Sequence, residues 1–466
     1  MNTQKIMPAF RICKWIFGRS AGWAKNLSQT AAAIILACLF ASQVSAQSPD
    51  PKAWTAANID ALVDFYRQLH QAPELSFQEE KTSATLADEL RAVGATVTAN
   101  VGGHGVVAVL ENGPGKVLLV RADMDALPVA EQTGLPYASK VRVKEEDGAT
   151  VGVMHACGHD IHMTSLVGVA RYLAANKGKW AGKAVFICQP AEERGGGAQA
   201  MLKDGLFQRF PRPDFAVALH VASEYPTGSV RYLAGYANAN VDSVDITIKG
   251  RGGHGAQPDT AIDPIVIAAK LVLDLQTIVS REMKPIEPAV VTVGAIRGGT
   301  KHNIIPDECR LQLTVRSYSP QVRQKIHDAI RRKTSAAAAG AGAPEPVISL
   351  SEGTPSLYND PELTSRVAAT LKRALGDANV VQGEATMGGE DFSQYGLAGV
   401  PISMFRVGAV NQARLDEFAG RKLPPPPLHS PLFYPDAKET ISTSIPAMAA
   451  VVLELLKPAS PSSQTP

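Results

Sequence analysis

Within eight residues, His155-Ala156-Cys157-Gly158-His159-Asp160-Ile161-His162, the chain places three imidazoles, one thiol and one carboxylate. Cys157 and His159 are two apart, so in an extended or loop backbone both side chains lean to one face and can grip one metal ion. Gly158 lets the backbone turn between them without a Cβ in the way. Apolar spacing from Met163 to Ala175 predicts a helix, so the ligands are expected on the loop that opens it. No second Cys/His pair follows at short range, which excludes a zinc-finger spacing. The remaining ligands must come from distant segments, as in enzymes that build sites on strand ends and loops.

Three further stretches carry suitable groups. The apolar run Lys116 to Val120 leads into Arg121-Ala122-Asp123-Met124-Asp125, and Ala184 to Cys188 leads into Gln189-Pro190-Ala191-Glu192-Glu193. Phe215 to Leu219 ends in His220. Carboxyl ends of buried strands are where α/β folds place their sites. Asp123, Asp125 and Asp160 read as groups that orient imidazoles, with Asp125 the strongest of them. Side chains of consecutive strand residues diverge, so one of Glu192 and Glu193 is expected to reach a metal and the other to face a substrate.

The elements that must position these groups follow from periodicity. Trp54 to Leu69 and Glu79 to Val93 have helical spacing, and Val106 to Leu110 reads as a strand. Strand alternating with helix predicts an α/β fold with a mainly parallel sheet. From residue 240 the pattern changes to strand (Val241 to Lys249), helix (Ile262 to Ser280), two strands (Ala289 to Ile296, Glu308 to Arg316), helix (Gln321 to Ala338) and strand (Pro346 to Leu350). That βαββαβ order predicts a ferredoxin-like α+β unit inserted into the first domain. Expected boundaries are 47–239 and 354–458 for the two parts of the catalytic domain, 240–353 for the insert and 459–466 for a disordered tail. A strand over Ile402 to Arg406 and a closing helix over Ile441 to Leu456 complete the second part, and Pro424 to Pro427 form a stiff segment running into His429.

Residues 1–46 read differently. Lys5, Arg11, Lys14, Arg19 and Lys25 have no acidic neighbour, an apolar run covers Ala31 to Ala41, and Val44-Ser45-Ala46 is a small-x-small signal. This predicts a signal peptide cut between Ala46 and Gln47, an exported (periplasmic or secreted) mature chain, and no stable membrane insertion after cleavage. Losing those five cations takes the formal charge from +2 to −3. No basic tract remains, which argues against nucleic acid and anionic lipid as partners. Three cysteines survive, Cys157, Cys188 and Cys309, an odd and sparse set that makes no disulfide framework.

Taken in order, the stretches RADMDALP, HACGHDIH, QPAEE, Leu219-His220, GRGGHGAQPD, HNIIPD, MGGEDF and LHSP span Asp123 to Pro431. Together they resemble the two-metal peptidase and amidohydrolase family of hippurate hydrolase, aminoacylases and the plant indole-acetyl-amino-acid hydrolases. The resemblance implies a zinc-peptidase-like catalytic domain whose insert serves as lid and dimerisation domain, and hence a homodimer. It implies metal ligands at Cys157, His159, Glu193, His220 and His429, a general base at Glu192, and substrate-facing His254, Asn303 and Arg316. Five ligands fit two divalent ions if one bridges. Cys157 is the expected bridge, with Glu193 and His429 on one ion and His159 and His220 on the other; Zn, Mn, Co and Ni all suit this donor set. His254 follows Gly252-Gly253, a flexible position suited to oxyanion contact after lid closure, and Arg316 suits a substrate carboxylate.

The implied reaction is hydrolysis of N-acetyl- or N-benzoyl-type amino acids. The rival readings are a dipeptidase or carboxypeptidase acting on short peptides with the same site, and an inactive binding protein of the same fold. Two departures from the family pattern, Pro258-Asp259 where Pro-His is common and the four prolines before His429, bear on substrate choice rather than on the reaction.

Overall fold

The structure is a computed structural model that describes residues 50–144 and 148–458. The expected signal peptide and the expected C-terminal tail lie outside the described residues. No helix among the described residues is long and apolar enough to cross a membrane.

Helix α1 (Pro51–Gln71) starts where Asp50 accepts the N–H of Ala53 at 2.8 Å and Pro51 presets the first turn. The cap contributes about 1 kcal/mol. Burial of Leu62, Phe65, Tyr66 and Leu69 contributes about 1.5–3 kcal/mol each, so packing rather than capping fixes the helix against the sheet. After α2 (Glu80–Ala92) the chain runs through β1 (Thr96–Val101), β2 (Gly105–Asn112) and β3 (Val117–Asp123), then α3 (His159–Ala175), β4 (Gly182–Gln189), β5 (Phe215–Pro226) and β6 (Val230–Tyr232). The inserted segment contributes β7 (Asn240–Lys249), α4 (Pro264–Thr277), β8 (Ala289–Gly298), β9 (Glu308–Ser317), α5 (Pro320–Gly340) and β10 (Val347–Glu352). The chain returns through α6 (Pro361–Leu375), β11 (Val380–Gln382), β12 (Ile402–Val410) and α7 (Ala437–Leu455).

Eight strands form one mixed, mostly parallel sheet in the order β1-β2-β4-β3-β5-β12-β6-β11. Its centre, β4-β3-β5-β12, is parallel throughout. Those strands are buried on both faces, which is why Val117–Val120 and Ala184–Cys188 are continuous apolar runs rather than alternating ones. One face packs against α1, α3 and α7; the other carries a second core containing Leu119, Ile187, Phe392 and Tyr395.

The inserted segment makes its own antiparallel sheet, β8-β9-β7-β10, with α4 and α5 sharing a separate core that includes Ile246, Leu271, Leu311 and Ile326. Here β7 alternates buried and non-buried residues, as a strand covered on one face must.

Several elements differ from expectation, two of them close in sequence to candidate ligands. Helix α3 begins at His159 instead of after the histidine cluster, so this candidate ligand sits in a helical first turn. A helix not anticipated from sequence, Gln412–Gly420, precedes the four prolines; Asn411 caps it by accepting the N–H of Arg414 at 2.9 Å.

Candidate metal centre

The site gathers at the carboxyl edge of the parallel strands. β3 ends in Asp123, β4 leads to Glu192 and Glu193, β5 carries His220, and α3 starts at His159. Gly158 has φ 78°, and a Cβ there would lie 2.5 Å from Val221 Cγ2. Both conformation and space therefore require glycine between Cys157 and His159.

Hydrogen bonds settle which ring nitrogens are available. His159 Nδ1 donates to the Asp125 carbonyl at 2.8 Å, and His220 Nδ1 donates to the Val221 carbonyl at 2.7 Å. A carbonyl only accepts, so each ring carries a proton on Nδ1 and, as the neutral imidazole, presents Nε2 as its ligand atom. His220 Nε2 lies 3.6 Å from Cys157 Sγ. His159 Nε2 lies 3.8 Å from Glu193 Oε1, which in turn is 3.4 Å from His429 Nε2. All five ligands implied by the family resemblance are thus joined by short contacts. His162 also lies in this region, but its Nε2 accepts the Val221 N–H at 2.9 Å and its Nδ1 donates to Asp123 at 2.5 Å. Both its nitrogens are spent, which leaves it a support for β5.

His159 Nε2 and Glu193 Oε1 are buried and have no hydrogen-bond partner among the described residues. Two such orphans beside a buried thiol are costly unless a cation joins them. Cys157, His159 and Glu193 hold their ligand atoms within 4.8 Å of one another. Sulfur, nitrogen and oxygen donors of this kind fit a borderline-soft divalent ion. Burial, reinforced by Glu193, pushes the Cys157 thiol well up; a bound cation reverses that by favouring the thiolate.

The glutamates do not diverge as expected of a strand end. Ala191 takes φ 48° and puts the pair in a turn, so Glu192 Oε2 and Glu193 Oε1 approach the same His159 Nε2, at 4.0 and 3.8 Å. What separates them is their other neighbours. Glu193 faces Cys157 and His429, whereas Glu192 faces Glu390 and Asp391. Burial, then Glu390, Glu193 and Asp391, raises the Glu192 carboxyl well above the ordinary range.

Asp125 orients its imidazole through its carbonyl. Its carboxylate accepts the N–H groups of Glu192 (3.1 Å) and Glu193 (3.0 Å) and the hydroxyl of Ser76 (2.6 Å), so it holds the glutamate turn. Glu79 assists by accepting the Ala191 N–H at 2.8 Å.

Sequence reasoning missed a buried cluster behind the site. Arg121 donates to Asp123 (2.5 Å), Glu390 (2.9 Å), Asp391 (3.0 Å) and Gln189 (3.1 Å). The signal was present, since Arg121 closes an apolar strand and Glu390-Asp391 lie in the MGGEDF stretch. An arginine in a strand reads as solvent-facing until its acidic partners are placed beside it.

A cavity of about 740 Å³ opens over Cys157, Glu192, Glu193, His220 and His429, and Arg316 of β9 lines it. His254 and Asn303 do not line it. They sit together on an exposed two-stranded ladder, where His254 pairs with Ile304 and the Asn303 carbonyl accepts the Gly255 N–H at 2.9 Å.

Residues 119–419 match the profile of peptidase family M20/M25/M40. The chain belongs to that family. Among M20 relatives, the thermostable carboxypeptidase 1 of Saccharolobus solfataricus is 37% identical over 359 residues, covering 76% of this chain and 87% of that protein. An N-acetyldiaminopimelate deacetylase of Geobacillus thermodenitrificans is 38% identical over 355 residues, covering 75% and 89%. The crystal structure of the Bacillus subtilis YXEP protein, described as a dinuclear metal-binding peptidase of the M20 family, superposes with a TM-score of 0.71 at 30% identity, covering 86% of this chain and 99% of that one. As an M20 member with carboxypeptidase and deacetylase relatives, the protein is a metal-dependent hydrolase.

Proposed function

We propose that the protein hydrolyses the amide bond of N-acyl amino acids, releasing a carboxylate and a free amino acid. The observation that carries this reading is one cavity lined by four of the five donors (Cys157, Glu193, His220 and His429) together with Glu192 and Arg316. Among the described residues the Arg316 side chain bonds only to Thr314 Oγ1 (3.0 Å) and the Met387 carbonyl (3.1 Å), which leaves its charge for a substrate carboxylate.

Cys157, His159, Glu193, His220 and His429 would hold the divalent ions. Such ions supply Lewis acidity that activates water and polarises the scissile carbonyl. Glu192 takes the proton from the attacking water and returns it to the departing nitrogen, a task that its raised pKa suits. Asp125 keeps Glu192 and Glu193 at fixed positions during this exchange. Arg316 orients the substrate by its carboxylate. His254 and Asn303 act from the inserted domain, which as a lid must move to bring them to the reacting carbonyl.

The test is turnover of N-acetyl and N-benzoyl amino acids against dipeptides, using protein reconstituted with Zn, Mn, Co or Ni. Faster cleavage of the N-acyl amino acids is expected. Faster cleavage of dipeptides would favour the second reading, a dipeptidase or carboxypeptidase, which the carboxypeptidase relative supports. No turnover of either class with full metal would leave an inactive binding protein.

Two further features belong to this proposal. The mature chain starts near Gln47 in an extracytoplasmic compartment, as the sequence of residues 1–46 suggests; N-terminal sequencing of cell-envelope protein decides it, and an intact Met1 chain in the cytoplasm would contradict it. The chain forms a homodimer through the inserted domain, supported by Leu273 and Val266 of α4, which are 72% and 49% exposed.

A further inference from the structure

Arg406 lies in β12 at the register position beside His220 of β5, and it lines the same cavity as the donor cage. On its other side is Arg231 of β6, whose guanidinium stacks on Tyr225 at 4.7 Å from the ring centre. Arg406 is half-buried. Its Nη2 reaches Thr386 Oγ1 at 3.2 Å and Asn238 Oδ1 at 3.4 Å, and both partners are neutral. Among the described residues, Nε and Nη1 have no protein hydrogen-bond partner and no carboxylate oxygen lies within 4.0 Å.

The acidic groups nearby are accounted for. Glu390 is engaged by Arg121 at 2.9 Å and by the Phe392 N–H at 2.9 Å. Glu192 and Glu193 face the donor cage. Glu224 is exposed on the cavity wall, and Glu384 is exposed beside a small adjoining pocket that Arg406 also touches. None of them pairs with Arg406.

Arg316 is in the same condition, and the two guanidiniums flank one short piece of backbone: Arg406 contacts Thr386 and Arg316 contacts Met387. One substrate carboxylate needs one such fork, and this cavity presents two. Drawing a guanidinium partly out of water without an anion is unfavourable, so the second has a cost that an anionic ligand offsets.

We propose that Arg406, held by Asn238 and Thr386, forms a second anion subsite, and that the preferred substrates carry a second carboxylate besides the one met by Arg316. This rests on the N-acyl amino acid reading above. The second carboxylate comes either from the amino-acid side chain, as in an N-acyl glutamate, or from a dicarboxylic acyl group such as succinyl. The cavity has room for both. No bond is made or broken at Arg406; it selects the substrate.

The experiment compares each acid with its uncharged amide on the metal-loaded enzyme: N-acetyl-L-glutamate with N-acetyl-L-glutamine, and N-succinyl-L-leucine with N-succinamoyl-L-leucine. At least one acid should exceed its amide in kcat/KM by about tenfold or more, the scale of one charge-assisted contact. The pair that shows the preference identifies the source of the carboxylate. Arg406→Gln should bring that ratio close to one, mainly through KM, while lowering the amide by less than about threefold. Arg406→Lys should retain part of the preference. Equal rates for both acids and their amides in the native enzyme overturn the proposal, as does an Arg406→Gln variant that loses acid and amide in equal measure. If no amide bond is cleaved at all, the N-acyl reading fails, and calorimetric binding of the same four compounds decides the subsite. Tighter binding of an acid, abolished by Arg406→Gln, upholds it; equal binding of acid and amide overturns it.

Discussion

The backbone N–H of His429 donates to the carbonyl of Ala156 at 2.8 Å, which ties the last candidate ligand in the chain to the residue before Cys157. His429 sits at φ 69°, a conformation that non-glycine residues seldom adopt, so the docked loop and not local preference fixes its ring. The ring itself is 54% exposed. His429→Ala should therefore leave the metal-free fold within about 0.5–1 kcal/mol, since alanine meets the same backbone constraint and little buried surface is lost. Metal content and turnover should both fall. Elemental analysis beside a urea titration checks this, and full metal occupancy in the variant would remove His429 from the ligand set.

Glu192 and Glu193 approach one imidazole but differ in their other neighbours, so their substitutions should differ in kind. Glu192→Gln is expected to keep metal near normal while turnover falls at least about 100-fold, the usual scale for a general base. Glu193→Gln removes the proposed anionic ligand, so metal affinity should fall with activity. Metal analysis paired with kinetics reads both. Loss of metal from the first variant with retention in the second would exchange the two roles.

Arg121 is the shared cationic partner of the buried carboxyl groups of Asp123, Glu390 and Asp391 and offsets part of their negative charge. Arg121→Met keeps bulk but leaves that negative charge uncompensated. The expected loss is about 3–5 kcal/mol, the usual result of removing one partner from a buried ion pair. Denaturant unfolding of the metal-free protein measures it without involving catalysis. A loss below about 1 kcal/mol would show that the cluster relaxes by taking up protons.

His70 gives a pH signature away from the cavity. Burial opposes its charged form, but hydrogen bonds to Asp160 (2.6 Å) and Glu131 (3.2 Å) outweigh that and raise its pKa from 6.5 to about 9. A pKa raised by folding stabilises the fold fully below the unfolded value, near 6.5, and this contribution disappears as pH rises through about 9. The stability gap between the native protein and His70→Gln should accordingly narrow by roughly 1 kcal/mol or more between pH 6.5 and 9.5. A gap that stays constant across that range would mean His70 is neutral in the fold.

The parallel centre of the sheet was legible because strands buried on both faces leave unbroken apolar runs, as at Val117–Val120 and Ala184–Cys188. The inserted sheet was legible from the alternation of β7. Cys157, His159, Glu193, His220 and His429 could be named from motif order, and the structure brings them together; their roles await the experiments above. The convergence of Glu192 and Glu193 was not legible, because it depends on the φ of Ala191. The Arg121 cluster and the placing of Arg406 beside His220 were hidden for another reason. Each joins residues far apart in sequence, and neither local periodicity nor composition reports which strands become neighbours.

The insertion of β12 between β5 and β6 also shapes how the molecule must be made. Residues 215–226 and 230–232 are synthesised early, yet the strand that separates and pairs with them spans residues 402–410. A nascent chain halted near residue 400 would present open strand edges in the middle of its largest sheet, a surface suited to mispairing with other chains. Completion of the eight-stranded sheet is thus expected to wait for residues 402–410, whereas the strands of the inserted sheet all lie within residues 240–352.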